Sequence, residues 1–308
     1  TLLQDENPLV RMNTLEHFYP LLQSLTRESE SGSMRKLAPV FQNLTLLSEG
    51  NWRTQELLAK QLEKAASLVL ADTLRSNVLP LLYQMSEEST YLVRKATMPA
   101  IAKALWCIPV PQEREETVRE FRAHWAEGGV FWMRLAFIDC ARAATECYSS
   151  ALFKNLFSAS TLRMAEDPVA NVRLRLGTVI DEFAPACWDL PQFQHAITIL
   201  KEDNDIDVIQ VMKDADSRID TKMSRKEALR LEDSDRERAE LDLVERYQRN
   251  KSDLRKRQLG IGIFRPSALL AKGPTRRLTG LDLDAPSSPS STTTAGSPTS
   301  IADPNLTK

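Results

Sequence analysis

Three histidines and four cysteines are the side chains of this sequence best suited to metal binding or nucleophilic catalysis. His17, His124 and His195 lie 107 and 71 residues apart, whereas metal and catalytic motifs on helices place such residues three or four positions apart. Cys140 and Cys147 are seven residues apart, which puts them on one face of a helix as small core residues. The sequence also lacks a phosphate-binding loop, a nucleophile elbow and kinase motifs. We therefore predict a chain that is not an enzyme and that holds no metal or cofactor.

Composition limits the elements that could position any functional side chain. The 308 residues include 40 Lys+Arg against 42 Asp+Glu, a balance that excludes a strongly basic nucleic-acid-binding protein. No apolar run reaches the ~18 residues of a transmembrane helix, and only 10 glycines argue against a turn-rich all-β fold. Four cysteines without a CxxC pair indicate a reducing compartment. We expect a helical protein of the cytoplasm, with the nucleus as a second location, and neither nucleic acid nor membrane as a partner.

A short string, in which an apolar residue precedes an arginine, recurs along the first two thirds of the chain. The arginines are Arg11, Arg53, Arg94, Arg134 and Arg173, and their successive spacings are 42, 41, 40 and 39 residues. A period near 40 is typical of paired-helix repeats of the HEAT or armadillo type. The sequence therefore predicts an all-α fold, a HEAT-repeat α-solenoid of about five helix pairs.

Helical patterns lie on both sides of each arginine. An apolar-periodic segment of about 15 residues follows it, and a second helical segment precedes it. The preceding segments are Met34–Ser48, Thr73–Met85, Glu113–Ala126, Ala151–Ala165 and Gln192–Leu200. At the start of the following helix, each guanidinium can reach acidic and carbonyl groups of its own and neighbouring turns. We expect these contacts to form a ladder that stacks the repeats.

The predicted solenoid covers residues 1–214. A partial sixth unit appears at Asp203–Val208, where Ile209 replaces the expected arginine, and an atypical unit is common at the end of a repeat array. The chain starts with Thr1 in what looks like the middle of a repeat. We expect the solenoid to be truncated at its N-terminus.

The sequence changes character after the predicted solenoid. Residues 215–259 read as a charged helical extension, with interspersed acidic and basic residues and a short apolar edge that begins at Leu241. Residues 260–308 have the Ser/Thr/Pro-rich composition of a disordered tail. Ser288 and Ser297 each precede a proline and are candidate phosphorylation sites.

The predicted turns carry the residues with the best case for binding a partner protein. Large aromatic side chains recur there, and Trp and Tyr are favoured as interface anchors. The alternative is that the aromatic residues fill the grooves between repeats, and stacking between repeats is the better account of most of the arginines. The candidate partner-binding residues are Trp52, Arg53, Tyr91, Arg94, Phe131, Trp132, Arg134, Asn171 and Arg173.

The order of these turns resembles a known family. Asn51-Trp52-Arg53, then Val93-Arg94, Phe131–Phe137 and Pro168–Arg173, are similar to the turns of HEAT-repeat regulatory and scaffold subunits of protein phosphatase 2A-like Ser/Thr phosphatases. Within that family they are most similar to the C-terminal part of protein phosphatase 4 regulatory subunit 1. The resemblance covers about Asp5–Met212.

The resemblance implies a non-catalytic subunit. Such a subunit binds a Ser/Thr protein phosphatase catalytic subunit, of the protein phosphatase 4 or 2A type, and helps to select phosphoprotein substrates. The alternative function is an importin-like transport or assembly adaptor for other protein cargo. That class usually carries a strongly acidic inner surface for basic cargo, and the near-neutral charge of this chain favours the first function.

Overall fold

The computed structural model describes residues 2–28 and 51–258, and within these ranges the chain forms helices and no strands. The helices pack as a solenoid, which confirms the predicted fold class. The predicted segment Met34–Ser48, the predicted tail, Ser288 and Ser297 lie outside the described residues. In the described part of the chain, no helix is both long and apolar enough to cross a membrane.

We number the described helices in chain order. They are α1 (Pro8–Glu16), α2 (Phe18–Glu28), α3 (Trp52–Ala65), α4 (Ala71–Thr73, Leu74–Val78 and Leu79–Glu88), α5 (Tyr91–Trp106), α6 (Pro111–Trp125), α7 (Phe131–Cys147), α8 (Ser150–Phe153, Lys154–Ser158 and Ala159–Arg163), α9 (Ala170–Cys187), α10 (Pro191–Lys201), α11 (Ile206–Met212), α12 (Ala215–Met223) and α13 (Lys226–Gln258). The middle segments of α4 and α8 are π-helical. Short 3₁₀ turns cover Leu2–Gln4, Ala66–Leu68 and Met164–Glu166.

The helices form two layers. One layer, which we call the arginine layer, contains the helices that begin just before a periodic arginine: α1, α3, α5, α7 and α9. Consecutive members pack on one another, and α9 also packs on α11 and α12. The second layer contains α4, α6, α8 and α10. These helices coincide with the segments that the sequence predicts before the arginines. The period near 40 is therefore the number of residues along the chain from one helix of the arginine layer to the equivalent helix of the next unit.

Polar caps and prolines fix where several helices begin. The side chains of Asn51 and Asp205 accept hydrogen bonds from backbone N–H groups in the first turns of α3 and α11. Helices α6 and α10 begin at Pro111 and Pro191, because proline lacks the N–H that a first helical residue leaves unpaired. These capping side chains and prolines fix the residue at which each of these helices begins, so the connections before them are short.

A continuous core lies between the two layers, and aromatic rings join its units. Ring centroids of Phe121 and Phe137 are 5.8 Å apart, those of Phe137 and Phe157 are 6.0 Å apart, and those of Phe153 and Phe183 are 5.8 Å apart. These pairs connect α6, α7, α8 and α9 through side chains that are almost fully buried. Nearest-neighbour contacts of this kind supply most of the stability of a repeat array.

The core extends into α12, where Ala215 and Ile219 are buried. Residue 214, the predicted end of the solenoid, therefore lies immediately before a helix that packs on the arginine layer. The division into domains at residues 214 and 259 stays a prediction.

Candidate partner-binding site

The turns before α7, α9 and α11 are joined by a ladder of arginines and aspartates. Arg134 donates to both carboxylate oxygens of Asp167, from Nε at 2.5 Å and from Nη2 at 3.0 Å. Arg173 does the same to Asp203, at 2.6 and 2.8 Å. The Asp167 carbonyl oxygen accepts from Arg173 Nη1 at 2.7 Å, so the two pairs are linked. This arrangement confirms the predicted ladder and gives it the bidentate geometry that makes arginine–carboxylate pairs strong.

The ladder is shielded from solvent, and the hydrogen bonds within it shift the pKa values of Asp203 and Arg173. The side chains of Asp167 and Asp203 are only 5% and 3% exposed. Hydrogen bonding from Arg173 lowers the pKa of Asp203, and backbone N–H groups of Asn204 and Asp205 lower it further. The same contact raises the pKa of Arg173. Both groups therefore stay charged through the physiological range and hold the turns together.

Two periodic arginines earlier in the chain, Arg53 and Arg94, lie on aromatic rings. The Arg94 guanidinium lies 4.2 Å from the ring centroid of Trp132, one repeat away, and Arg53 lies 4.4 Å from the ring of its neighbour Trp52. Arg94 also donates to the Ser89 carbonyl at 3.1 Å, while burial lowers its pKa. The repeats at α5 and α7 are thus joined by a cation–π contact.

Three large apolar side chains are exposed at the first positions of helices in the arginine layer and its continuation. Tyr91 begins α5 and is 63% exposed, Phe131 begins α7 and is 41% exposed, and Ile206 begins α11 and is 78% exposed. The contacts from Arg94 to Trp132 and from Arg173 to Asp203 show that these helix starts lie along one edge. We call the surface formed by Tyr91, Phe131 and Ile206 the turn row.

The other predicted aromatic candidates are more enclosed. Trp52 and Trp132 are partly buried and pack against the core, and the Trp132 ring meets that of Trp125 edge-on at 6.2 Å. Asn171, in the first turn of α9, is exposed. The structure therefore separates the predicted set into exposed residues that a partner could reach and residues that shape the turns. Partner binding by any of them stays a prediction.

A second set of ion pairs was not predicted from the sequence. Asp139 on α7 accepts from Arg175 Nε on α9 at 2.8 Å, and Asp181 on α9 accepts from Arg218 Nε on α12 at 3.1 Å. Arg218 also donates to the Gly177 carbonyl at 2.7 Å. The spacings from aspartate to arginine are 36 and 37 residues, close to the length of one repeat. This recurring spacing is the sequence feature from which the two ion pairs could have been predicted.

The long charged helix α13 returns to the middle of the array. Glu240 accepts from the Ser149 backbone N–H at 2.7 Å and from the Ser149 hydroxyl at 2.8 Å. Asp233 accepts from the Ser150 N–H at 2.6 Å. These carboxylates satisfy N–H groups at the start of α8, where negative charge is favoured by the helix dipole. The helix is therefore fixed to a turn that lies 83 to 91 residues earlier in the sequence.

The apolar side of α13 differs from the predicted edge. Ala239 and Leu243 pack against the core, whereas Leu241 is 66% exposed. Residues four apart share a helix face, while a residue midway between them points to the opposite side. Leu241, where the predicted edge begins, therefore lies away from the side of α13 that packs on the core.

Metal-binding groups and reactive thiols are the features of the described residues that bear on catalysis. Among them, no group of three or more His, Cys, Asp or Glu residues is placed to hold a metal ion. Burial raises the pKa of Cys107 to about 11 and those of Cys147 and Cys187 to about 12. Thiols of this kind stay protonated at neutral pH and are poor nucleophiles.

Comparison with known proteins gives similarity to phosphatase regulatory subunits. No family model matches the chain. The chain is 24% identical over 231 residues to the human serine/threonine-protein phosphatase 4 regulatory subunit 4. The matched region covers 69% of this chain and 26% of the human protein. The mouse protein of the same name is 23% identical over 209 residues, covering 65% of this chain and 23% of the mouse protein. The chain thus spans about a quarter of the length of the curated relatives it matches.

These comparisons confirm the resemblance to protein phosphatase 4 regulatory subunits. Both matched relatives are regulatory subunit 4, whereas the sequence pattern had pointed, within the family, to regulatory subunit 1.

Proposed function

We propose that this chain is the HEAT-repeat part of a non-catalytic regulatory subunit. It binds a Ser/Thr protein phosphatase catalytic subunit, of the protein phosphatase 4 or 2A type, and helps to select phosphoprotein substrates. The observation that carries the proposal is the similarity to proteins named as protein phosphatase 4 regulatory subunits. The exposed apolar turn row supports it, because repeat arrays bind partners through extended surfaces of this kind.

The structure supports different roles for the candidate residues. Tyr91 and Phe131 are exposed on helix ends that the neighbouring turns hold in place, so they are the proposed contacts with the catalytic subunit. Arg134 and Arg173 are engaged with aspartates inside the turns, and their proposed role is to fix the spacing of the row. A rigid base lowers the entropy lost when a partner binds.

The proposed mechanism acts through position. A catalytic subunit held on the turn row keeps its own active site free for substrate. A substrate bound elsewhere on the same array is then presented to the phosphatase at a raised effective concentration. The chain itself contributes no reacting group to dephosphorylation.

Affinity purification followed by partner identification tests the proposal. The full-length protein should enrich a protein phosphatase 4 or 2A catalytic subunit, and its absence from the purified partners would overturn the function. A Tyr91→Ala/Phe131→Ala variant should bind the purified catalytic subunit more weakly, because it loses both apolar contacts. Trp188→Ala is the matched control, since Trp188 is 45% exposed just after the other end of α9. Equal binding by all three proteins would exclude the turn row as the contact surface.

The described helices give little support to the importin-like alternative. That function requires a strongly acidic surface on the arginine layer, facing basic cargo. The acidic residues of α7 and α9 are Asp139, Glu146, Asp181 and Glu182, and each is paired with an arginine or a lysine. The adaptor function is therefore not proposed.

A further inference from the structure

A groove with a volume of about 670 Å³ lies in the second layer, between α4 and α6. Its floor contains Leu79, Phe121 and Trp125, which are at most 2% exposed. The Tyr83 ring stacks on Phe121 at 5.7 Å between centroids, and Phe121 stacks on Trp125 at 5.9 Å. The floor of the groove is therefore a continuous aromatic surface.

An ion pair and a histidine–carboxylate contact connect the helices that border this groove. Arg75 of α4 donates to Glu113 near the start of α6 at 2.9 Å. Near the other ends of the same helices, His124 Nε2 lies 2.8 Å from Glu87 Oε1. The aromatic floor lies between these pairs, because Tyr83 and Phe121 occupy intermediate positions of α4 and α6. The groove thus has defined ends and an apolar centre.

The side chains around the groove carry an excess of negative charge. Asp72, Glu87 and Glu120 line it, and Arg75 is the cationic lining residue that is already paired with an acid. In the described part of the chain, Asp72 and Glu120 form no ion pair. Two carboxylates beside an aromatic floor match a ligand that combines a cation with apolar groups.

The Tyr83 hydroxyl adds a hydrogen-bonding group. It is buried and has no hydrogen-bond partner among the described residues, although Tyr83 lines the groove. Leaving a buried hydroxyl unpaired costs the folded chain free energy. A small rotation of the ring toward a bound donor would recover that free energy.

We propose that the α4–α6 groove binds a short segment of a partner protein that presents Lys or Arg next to an apolar residue. The aliphatic stem of the basic side chain lies on the partly exposed Tyr83 ring and on Pro80, and its cationic group reaches Asp72 and Glu120. The neighbouring apolar residue fills the groove beside Leu79. This site lies in the second layer, separate from the turn row, and it does not depend on which phosphatase the array binds.

The proposal can be tested with a peptide array. The probes are immobilised peptides of about seven residues whose central residue is Lys, Arg, Glu or Ala, with Leu, Phe or Gly on each side, and the full chain is applied in purified, labelled form. Peptides with a central Lys or Arg and an apolar neighbour should retain the chain. Their Glu-centred counterparts should retain about tenfold less, because two carboxylates then oppose the ligand. Equal retention across the central residues would overturn the proposal.

Charge-neutralising variants connect this preference to the groove. Asp72→Asn/Glu120→Gln should reduce retention on the Lys and Arg peptides about tenfold. The control is Glu115→Gln/Glu116→Gln, which makes the same change in net charge at exposed positions of α6 outside the groove. Equal losses in both variants would mean that retention reflects net charge alone and would overturn the site.

Hydrogen exchange gives an independent readout on the unmodified chain. Addition of the best-retained peptide should slow amide exchange in residues 72–87 and 113–125. Protection confined to the turn row or to α13 would overturn the assignment to the groove. Circular dichroism of both variants checks that the helical fold is intact before binding is compared.

Discussion

Arg134 and Asp167 are 33 residues apart in the chain, yet the guanidinium of one contacts both carboxylate oxygens of the other, at 2.5 and 3.0 Å. The Asp167 backbone carbonyl in turn accepts from Arg173. Asp167 therefore contacts two successive arginines of the ladder, Arg134 through its side chain and Arg173 through its backbone. Two predictions follow from this ladder, one on its strength and one on its pH dependence.

Asp167→Ala should lower the free energy of unfolding by about 2–4 kcal/mol, because it leaves the Arg134 cation largely buried without a carboxylate partner. Urea unfolding followed by circular dichroism measures the change. Arg163→Ala is the control, since it breaks an inter-repeat pair with Glu127 whose side chains are 64% and 51% exposed. The control should lose less than about 1 kcal/mol. Similar losses in the two variants would show that the ladder adds nothing beyond a surface ion pair.

Asp203 should make the chain more stable at neutral pH than in acid. Its folded-state pKa lies below the ordinary value of 3.8, so the unfolded chain binds the proton more readily. The contribution is complete above about pH 4 and is lost as the pH falls through the folded-state pKa. Asp203→Asn should therefore flatten the acid limb of stability against pH in thermal unfolding. The exposed Glu237→Gln should leave that limb unchanged, and an unchanged limb in Asp203→Asn would contradict the prediction.

The structure explains why the ladder was predictable. Arg11, Arg94, Arg134 and Arg173 each donate to a carbonyl oxygen of the turn just before their helix. The residue type therefore recurs at the length of the unit, and the recurrence is visible in the sequence without knowledge of any contact. Arg134 and Arg173 have the predicted acidic and carbonyl partners. Arg94 has the same position but lies on Trp132, because the partner depends on which side chain the next turn supplies.

Other features depended on information that the sequence does not carry. Phe131 and Trp132 are adjacent aromatics, and one step of helix rotation leaves the first 41% exposed and the second partly buried. Asp139 and Arg175 are ordinary helical charges until the packing of α7 on α9 brings them together. In a chain with 27% charged residues, many pairs have such a spacing by chance.

Gly128 should be hard to replace, whereas the next residue should not. A Cβ atom at Gly128 would lie 2.3 Å from the His124 carbonyl oxygen, and one at Gly129 would meet nothing within 4 Å. Because the clash is with backbone, the α6–α7 turn must shift, and the Gly128 carbonyl that Arg134 contacts would move with it. We expect Gly128→Ala to cost about 1–3 kcal/mol in urea unfolding and Gly129→Ala less than about 0.5 kcal/mol. Equal costs for the two variants would argue against this turn geometry.

The contact between α13 and the start of α8 should be measurable by amide hydrogen exchange. Glu240→Gln removes the charge and one accepting oxygen from the pair of hydrogen bonds to Ser149. The Ser149 amide should exchange about tenfold faster or more, because hydrogen bonds to a charged group contribute about 1.5–3 kcal/mol. Glu245→Gln, which breaks only an exposed pair with Arg249 one turn away, should leave Ser149 unchanged. An unchanged Ser149 in Glu240→Gln would mean that this contact does not hold α13 in place.

The position of α13 changes how the array can come apart. In a repeat array whose units contact only their nearest neighbours, units can unfold one at a time from either end. The contacts from Glu240 to Ser149 and from Asp233 to Ser150 close a ring around α8 to α12. A helix between α8 and α12 therefore cannot separate fully from its neighbours until the contacts of Glu240 and Asp233 with the start of α8 are broken. The described chain from α8 to α13 is therefore expected to unfold as one cooperative block, while the units before α8 retain the graded melting of an open stack.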